Sequence, residues 1–420
     1  MCDEVHIFDP QAGSGLPVIR HPLLSCDGLP TPRREEKYSR FPMATLVFWA
    51  CCSLLLYVYV IYPLTVRVLA GWLGVRVKRG TSLPTITFIV TAYNEERCIR
   101  AKLDNLGGLN YPVELIDILV ASDGSTDSTE QIASRYDPRR VSVLRLEGRH
   151  GKTACQNAAA AVAHGEILVF TDATTRLQGD ALRHLVEGFA DAKVGCVGGR
   201  LVYVAEVDNM TGREGQTYWS YELSIRAAES ALGSLIGVSG CLYAVRREAY
   251  RPIHPSLISD FVIAMKMREQ GLRTVLAPNA VCFEATLDHG RHELSMRVRV
   301  AVRSLNALIR ERRFLNPVKF GYFAWQLWSH KVLRYASPLL WLGALAANVA
   351  LASERPYLLL LLLQLTLIGS GAVGFILQDN QRKLGVFGKP YYFLLTNMAS
   401  LIATLRYLQG ERMVIWNPIR

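Results

Sequence analysis

Long apolar runs lie towards both ends of the chain and enclose a middle part of mixed composition. Residues 43–66 contain no charged side chain and are long enough to cross the roughly 30 Å hydrocarbon core of a bilayer. Further apolar runs follow in the last third of the chain, at about 333–351, 357–377 and 391–408. This pattern predicts one transmembrane helix within residues 42–70 and two or three more within residues 330–410.

The middle part, residues 80–313, alternates short apolar runs with segments of helical period. Strands are predicted at 85–91, 115–121, 141–146, 166–171 and 195–204. Helices are predicted at 95–106, 125–136, 152–163 and 179–190, around Tyr218 to Arg226, and at 259–270, just before Gly271. Because strands that alternate with helices form a mainly parallel sheet, the pattern predicts an α/β domain with a Rossmann-like, mostly parallel sheet.

The remaining segments follow neither pattern. Residues 1–41 hold Gly, Pro and mixed charge without periodicity, so we expect a poorly ordered tail there, and no cleaved signal peptide begins the chain. Residues 314–328 are rich in aromatic side chains and are expected to lie in the membrane interface. Residues 411–420 are expected to form a C-terminal tail. The chain is therefore expected to be a membrane protein with one water-facing domain.

The formal net charge is +11, but no nucleic-acid-binding motif accompanies it, so we expect no nucleic-acid partner. Arginines crowd instead before the second apolar block, at Arg291, Arg297, Arg299, Arg303, Arg310, Arg312 and Arg313. Basic residues beside a membrane segment typically face anionic lipid, which leaves one or two of them for a substrate phosphate. The nine cysteines show no C-x-x-C or metal-type spacing and are expected to be reduced packing residues.

Polar side chains follow three of the predicted strands, at the point where each strand ends. They are Thr91-Ala92-Tyr93-Asn94-Glu95, Ser122-Asp123-Gly124-Ser125-Thr126-Asp127 and Thr171-Asp172. Ligands of open α/β sheets bind outside the carboxyl ends of the strands, so these segments are expected to converge on one site.

Each acidic residue of this set has a chemical and a structural interpretation. Asp172 suits a divalent cation held against phosphates, or a turn cap. Asp123, beside Gly124, suits recognition of a base or ribose hydroxyl, or it shapes the turn while Ser125 or Asp127 caps the helix. Asp260 suits a general base, or a helix N-cap.

Lys152 follows Gly151 at the start of a predicted helix. Its ammonium group suits contact with a phosphate, and a lysine that merely begins a helix is an equal alternative.

In this order, TAYNE, SDGSTDST, GK with Asn157 five residues on, FTDAT, SGCLYAVRR and SDF resemble the motifs of an inverting family 2 glycosyltransferase. The resemblance spans about residues 55–420. It is to the membrane polysaccharide synthases, those for cellulose, poly-N-acetylglucosamine, chitin oligosaccharide and hyaluronan. It implies a GT-A-type catalytic domain between transmembrane helices.

The resemblance also implies roles for individual residues. Uridine of a UDP-sugar donor would be held around Ala92, Tyr93, Glu95 and Asp123. Asp172 would bind Mg²⁺ or Mn²⁺, and Asp260 would be the general base. The donor would be met in the cytosol, which places residues 80–313 inside a cell (inner or plasma) membrane and the N-terminus outside.

Three positions depart from the family pattern. Thr174 stands where a second acidic residue usually helps to hold the metal, so it is only a possible second ligand position. Ser259 stands before the base, where Glu or Asp is common. The processive Gln-x-x-Arg-Trp motif is reduced to its arginine, Arg299, with Met296 and Val300 in place of Gln and Trp. Without the tryptophan, a growing chain lacks an aromatic face on which to stack.

We therefore expect inverting transfer of a hexose or N-acetylhexosamine from UDP to an acceptor hydroxyl, in extracellular glycan synthesis. Arg299 and the cation would stabilise the departing diphosphate. The partners would be the UDP-sugar, a glycan or lipid-linked acceptor and membrane lipid. Alternatives are a single-sugar transferase acting on a lipid-linked or short glycan acceptor, and a catalytically impaired nucleotide-binding scaffold. A transporter is disfavoured because the apolar runs carry no carboxylate.

Overall fold

The computed structural model describes residues 41–204, 210–285, 290–377, 385–413 and 415. Residues 1–40 and most of residues 411–420, where the sequence predicts tails, lie outside this part. Arg382 and Lys383, whose charge favours the cytosolic side for the segment between the last two apolar runs, also lie outside this part.

One half of the sheet is parallel, as predicted. The strands are β1 (Ile86–Ala92), β2 (Ile116–Ser122), β3 (Val141–Arg145) and β4 (Ile167–Asp172), and they lie side by side in the order β3-β2-β1-β4. Every residue of β1 is buried, because helices cover both faces of the sheet. Phe88 and Val90 pack into the core on one face, whereas Ile89 joins Phe170 in the core on the other.

The other half is mixed in direction. It contains β5 (Arg176–Leu177), β6 (Val194–Val204), β7 (Leu242–Arg246) and β8 (Arg273–Ala285), and the full order is β3-β2-β1-β4-β7-β6-β8-β5. β7 runs antiparallel to β4 and β6, β8 runs parallel to β6, and β5 is antiparallel to β8. The α/β class is confirmed, while β5, β7 and β8 are strands that the sequence pattern did not predict.

Eight helices with the following bounds complete the described part of residues 42–310. They are α1 (Pro42–Leu73), α2 (Ile99–Gly107), α3 (Thr129–Ala133), α4 (Lys152–Val162), α5 (Ala181–Val186), α6 (Met210–Leu232), α7 (Ser259–Glu269) and α8 (Gly290–Arg310).

Helices α2 and α3 each begin four residues later than the predicted 95 and 125. Side chains in the two preceding loops bond to backbone amides instead: Asn94 Oδ1 accepts from Thr126 N, and Asp127 Oδ2 accepts from Glu96 N. Asn, Asp, Ser and Thr side chains compete in this way with helical hydrogen bonding. The two strand ends are thereby cross-linked to each other.

Three helices in the described part of the chain are long and apolar enough to cross a membrane. They are α1, α9 (Tyr322–Ala350) and α10 (Arg355–Leu377). A further helix, α11 (Gly388–Leu408), covers the predicted run 391–408 and is not one of the three. Of residues 314–328, Pro317–Phe320 form a short helix and the last seven already belong to α9, which begins at Tyr322 rather than near residue 333.

Helix α8 connects the sheet domain with the apolar helices. Val298 and Val302 pack against Ala399 and Ala403 of α11. Its other face carries two arginines towards the carboxyl ends of the strands.

Candidate functional site

The carboxylate of Asp172 lies at the carboxyl end of β4, beside Thr91 of β1, and is paired with a cation of the chain itself. Lys152, the first residue of α4, forms an ion pair with Asp172 Oδ1, and both side chains are largely buried. Lys152 Nζ also lies 3.4 Å from the carbonyl oxygen of Gly240. Burial lowers the pKa of Lys152, but its acidic neighbours, Asp172 first, outweigh burial and raise it. The ammonium group therefore stays charged.

Asp260 lies next to the same lysine. A Cβ atom added to Gly240 would come 2.7 Å from Asp260 Oδ2 and 3.5 Å from Lys152 Nζ, so three separate elements meet at this point. The N-cap of α7 is Ile258, without a side-chain cap bond, so the N-cap interpretation of Asp260 is wrong. Burial raises the pKa of Asp260, and the cations Lys152, Arg303 and Lys331 offset this only in part.

A buried lysine that the sequence analysis missed supports the loop after β4. Lys102 Nζ donates to Thr171 Oγ1 at 2.7 Å and to the carbonyl oxygen of Thr175 at 2.8 Å. Burial lowers its pKa to about 7, against the opposing effect of Asp172. The sequence could have revealed Lys102 by its position among Ile99, Leu103 and Leu106 on the apolar face of a predicted helix.

A second carboxylate, also missed, lies near Asp172. β5 and β8 pair Arg176 with Phe283 and Leu177 with Cys282, so Glu284 is the next residue of β8 beyond the start of β5. Burial and then Asp172 raise the pKa of Glu284, and Cys241 Sγ donates to its carboxylate at 3.4 Å. Because it lies on an unpredicted strand about 110 residues from Asp172, no local pattern connects the two.

Asp172, Glu284 and the exposed hydroxyl of Thr174 offer oxygen ligands of the kind that Mg²⁺ and Mn²⁺ accept. The carboxylates of Asp172 and Glu284 repel each other, and a divalent cation between them would remove this repulsion. In the part of the chain that the structure describes, no group of three or more His, Cys, Asp or Glu side chains is arranged to hold a metal ion. A cation here would therefore depend on further ligands from phosphate oxygens and water.

The predicted uridine residues are brought together at the ends of β1 and β2. Asp123 N donates to the carbonyl oxygen of Ala92 at 2.9 Å. The side chain of Asp123 is fully buried and accepts hydrogen bonds from His150 N at 2.7 Å, Gly151 N at 3.1 Å and Arg149 Nε at 3.2 Å. These hydrogen bonds agree with the interpretation that Asp123 shapes the turn.

Tyr93 and Glu95 border the same turn. The guanidinium of Arg149 lies over the ring of Tyr93, 3.3 Å from its centroid. Glu95 is buried, and its amide donates to Thr129 Oγ1 at 2.7 Å. Contact of these residues and Asp123 with a nucleotide stays a prediction.

Arg299 reaches the site from α8. Burial lowers its pKa and Asp172 opposes this effect, which places the guanidinium on the Asp172 side. Val300, where the processive motif has tryptophan, is 44% exposed.

The family model described as Glycosyl transferase family 2 matches residues 87–253, which contain Asp123, Lys152 and Asp172. The chain contains a family 2 glycosyltransferase domain. The resemblance to family 2 glycosyltransferases is thus confirmed, and so is the expected glycosyltransferase class.

Two curated relatives show how far the similarity extends. The chain is 30% identical over 172 residues to a beta-monoglucosyldiacylglycerol synthase of Nostoc sp. (strain PCC 7120 / SAG 25.82 / UTEX 2576), which covers 40% of this chain and 37% of that protein. It is 24% identical over 268 residues to a poly-beta-1,6-N-acetyl-D-glucosamine synthase of Staphylococcus aureus (strain COL), covering 60% and 64%. The chain therefore spans less than two thirds of the length of these relatives.

Among solved structures, the fold resembles that of the mannosyltransferase PcManGT from Pyrobaculum calidifontis, which was solved with GDP-Man and Mn²⁺. The TM-score is 0.68 at 24% identity, and the match covers 87% of this chain and 99% of that one. This likeness confirms the expected GT-A-type fold.

Proposed function

We propose that this glycosyltransferase domain transfers a hexose or N-acetylhexosamine from a UDP-sugar to an acceptor hydroxyl, with inversion at the anomeric carbon. The observation that carries the proposal is the meeting of Asp260, Lys152 and Asp172 around Gly240 at the carboxyl ends of the strands. Basic side chains outnumber acidic ones around it, which suits a diphosphate. The basic ones are Lys102, Lys152, Arg299, Arg303 and Lys331, and the acidic ones are Asp172, Asp260 and Glu284.

Asp260 would act as the general base. Within the described part of the chain its carboxylate accepts no hydrogen bond, so both oxygens are available for the proton of an acceptor hydroxyl. The hydroxyl oxygen would attack the anomeric carbon on the face opposite the diphosphate. One such displacement inverts the configuration.

Lys152 and Arg299 would bind the departing diphosphate. Because Lys152 already neutralises Asp172 in the free protein, a bound diphosphate would share the lysine with that carboxylate. Fixed cations at the oxygens where charge develops stabilise the transition state more than the ground state.

Asp172 and Glu284 would hold Mg²⁺ or Mn²⁺, with Thr174 at a second ligand position and the remaining ligands from the donor. Such a cation neutralises developing charge on the leaving diphosphate. PcManGT, which shares the fold, was solved with Mn²⁺.

For the acceptor, the proposal is a glycan or lipid-linked hydroxyl at the membrane, with the sheet domain in the cytosol and the N-terminus outside. Three candidate membrane-spanning helices support a cell-membrane location. Membrane lipid would surround these helices.

A single-sugar transferase is the second candidate function. The exposed aliphatic side chain of Val300 favours it, because a sugar ring stacks on aromatic faces. A relative named for a glucosyl lipid product also supports it. Product length after incubation with labelled donor separates it from polymer synthesis.

The deciding experiment is UDP release by membranes that contain the full chain, assayed with UDP-glucose, UDP-N-acetylglucosamine and other UDP-sugars, with GDP-mannose for comparison. Asp260→Asn should abolish transfer while UDP still raises the melting temperature of the variant. Transfer by Asp260→Asn at the wild-type rate would exclude Asp260 as the base. Protection of the wild-type chain by UDP without UDP release from any donor would favour the impaired nucleotide-binding scaffold.

A further inference from the structure

One face of helix α8 carries two arginines towards the site. Arg299 and Arg303 are four residues apart, so their side chains leave the helix on the same side, one turn from each other. Asp172 acts electrostatically on Arg299, whereas Asp260 acts on Arg303. Both arginines therefore lie on the side of α8 that faces the two central carboxylates.

Arg303 is held firmly, but one of its donors is left over. Its side chain is 7% exposed, and Nη2 donates to the carbonyl oxygen of Leu257 at 3.1 Å and to Thr153 Oγ1 at 3.3 Å. Its Nε–H is buried and has no hydrogen-bond partner among the described residues. A buried donor without a partner is costly and calls for an explanation, and an acceptor that is brought into reach when the donor substrate binds is one.

Asp260 is the candidate partner, because it follows the anchor of Arg303 by three residues in the chain. Arg303 is anchored to Leu257, three residues before Asp260, and the carboxylate of Asp260 accepts no hydrogen bond in the described part of the chain. Resting on the proposed function, we propose that Arg303 is the positioning residue for Asp260: its Nε–H donates to that carboxylate in the donor-loaded enzyme and aims the other oxygen at the acceptor hydroxyl.

Other charged groups also face Asp260, but none is placed to do the same. Lys152 of α4 is bound to Asp172 of β4 and would be shared with the diphosphate. Lys331 of α9 has its Nζ 5.3 Å from the ring centroid of Phe261. Arg303 alone of these cations is bonded to the chain segment that leads into Asp260.

The test compares Arg303→Gln and Arg303→Lys with Arg310→Gln, an exposed arginine at the end of the same helix. UDP release from the UDP-sugar with the highest turnover is measured against pH in membranes containing each full-length variant. The base must be ionised, and a neighbouring cation keeps its pKa down. Arg303→Gln should therefore move the acid limb of kcat/KM to higher pH by about one unit and lower kcat at pH 7 by tenfold or more, with KM for the donor within about twofold.

Arg303→Lys should restore the position of the acid limb and part of kcat, since it keeps the charge but not the planar donor group. Arg310→Gln should match the wild type. UDP-induced rise in melting temperature serves as the folding check for every variant. An acid limb that stays at the wild-type pH in Arg303→Gln, or one that shifts equally in Arg303→Lys, would overturn the proposal.

The two levels of the argument fail separately. If Asp260→Asn keeps wild-type transfer, the proposed function itself is wrong. If Asp260→Asn is inactive while Arg303→Gln keeps the wild-type pH profile, Asp260 remains the base and only the role of Arg303 is lost. Should Arg303→Gln show no response to UDP, Arg303→Lys alone decides: a wild-type kcat for it would contradict the need for the Nε–H donor.

Discussion

Two groups of buried charges in this molecule differ in the balance between acidic and basic side chains. The first lies where α6 meets the apolar helices. His330 of α9 contacts Glu229 through Nδ1 at 2.6 Å and Glu222 through Nε2 at 2.8 Å, and Arg334 Nη1 lies 2.7 Å from the other oxygen of Glu222. The hydroxyl of Tyr62 from α1 donates to Glu229 as well. Two carboxylates and two basic groups thus bind one another.

The second group is the candidate site, and its acidic and basic side chains differ in number. Asp260 accepts no hydrogen bond in the described residues, and the Nε of Arg303 donates none. Cations outnumber carboxylates here. Lys152 forms an ion pair with Asp172 and also lies next to Asp260. Such an arrangement is complete only when an anion with further oxygens is present.

The contrast separates a structural from a functional use of the same residue types. A hydrogen-bonded cluster of two carboxylates and two basic groups fixes α6 against α1 and α9, although Oε2 of Glu229 has no partner among the described residues. Helix α6 leads directly into the segment 233–241 that contains Gly240. A cluster in which basic side chains outnumber acidic ones is suited to an anionic ligand. The cluster at His330 should accordingly govern stability, and the one at Asp260 should govern activity.

The largest expected effect tests the structural side of this contrast. Glu229→Leu removes the acceptor of Tyr62 and the partner of His330 Nδ1, and it leaves the buried imidazole with one partner fewer. Breaking a buried ion pair typically costs about 3–5 kcal/mol of the free energy of unfolding. Thermal and denaturant unfolding of the full chain in detergent should show a loss of this size.

Glu248→Leu is the matched control, because Glu248 is exposed on the sheet domain and its removal should change stability by no more than about 0.5 kcal/mol. If Glu229→Leu were equally harmless, the cluster would not be the anchor that its geometry indicates.

The second effect tests the functional side. Gly240→Ala places a methyl group 2.7 Å from Asp260 Oδ2, so the carboxylate or the loop must shift. A displacement of about 1 Å at a reacting group can cost on the order of 10²-fold in rate. We expect kcat for sugar transfer to fall by about that factor, while the melting temperature stays within a few degrees of the wild type.

Gly107→Ala is the control for this variant, since a Cβ atom at Gly107 meets nothing within 4 Å. It should keep wild-type turnover. A Gly240→Ala enzyme of full activity would show that Asp260 tolerates movement, contrary to its assignment as an aimed base.

The contrast also explains how much the sequence could predict. The apolar runs of β1, β2 and β4 predicted the parallel half of the sheet, because strands buried on both faces need continuous hydrophobic side chains. β8 was missed: its run from Arg273 is interrupted by Pro278 and Asn279, and the strand accommodates irregular register next to them. Pairing between distant segments, rather than local pattern, makes it a strand.

The same limit applies to the site residues. Asp172, Lys152 and Asp260 stand in local motifs at element ends, and the structure brings them together. Glu284, Lys102 and Arg303 reach the site from a late strand, from inside a helix and from a helix among many arginines. Their roles in the site depend on contacts between residues about 70 to 150 positions apart in the sequence, and no local pattern shows such contacts.

The smallest expected effect concerns the metal, and it refines the picture of an incomplete site. Thr174 is exposed beside Asp172, so Thr174→Asp adds a carboxylate where the proposed cation has only Asp172 and Glu284. Electron paramagnetic resonance can measure the affinity of the full chain for Mn²⁺ without nucleotide. This affinity should rise by about tenfold in Thr174→Asp, because each added carboxylate ligand strengthens binding of a hard cation.

In the wild type, the affinity for Mn²⁺ should rise when UDP is added, since phosphate oxygens then supply the ligands that the chain lacks. Thr174→Ser, which keeps the hydroxyl, should behave like the wild type. Equal Mn²⁺ affinity with and without UDP in the wild type would mean that the unpaired charges around Asp172 are satisfied without the diphosphate, and the contrast with the cluster at His330 would then rest on Asp260 and Arg303 alone.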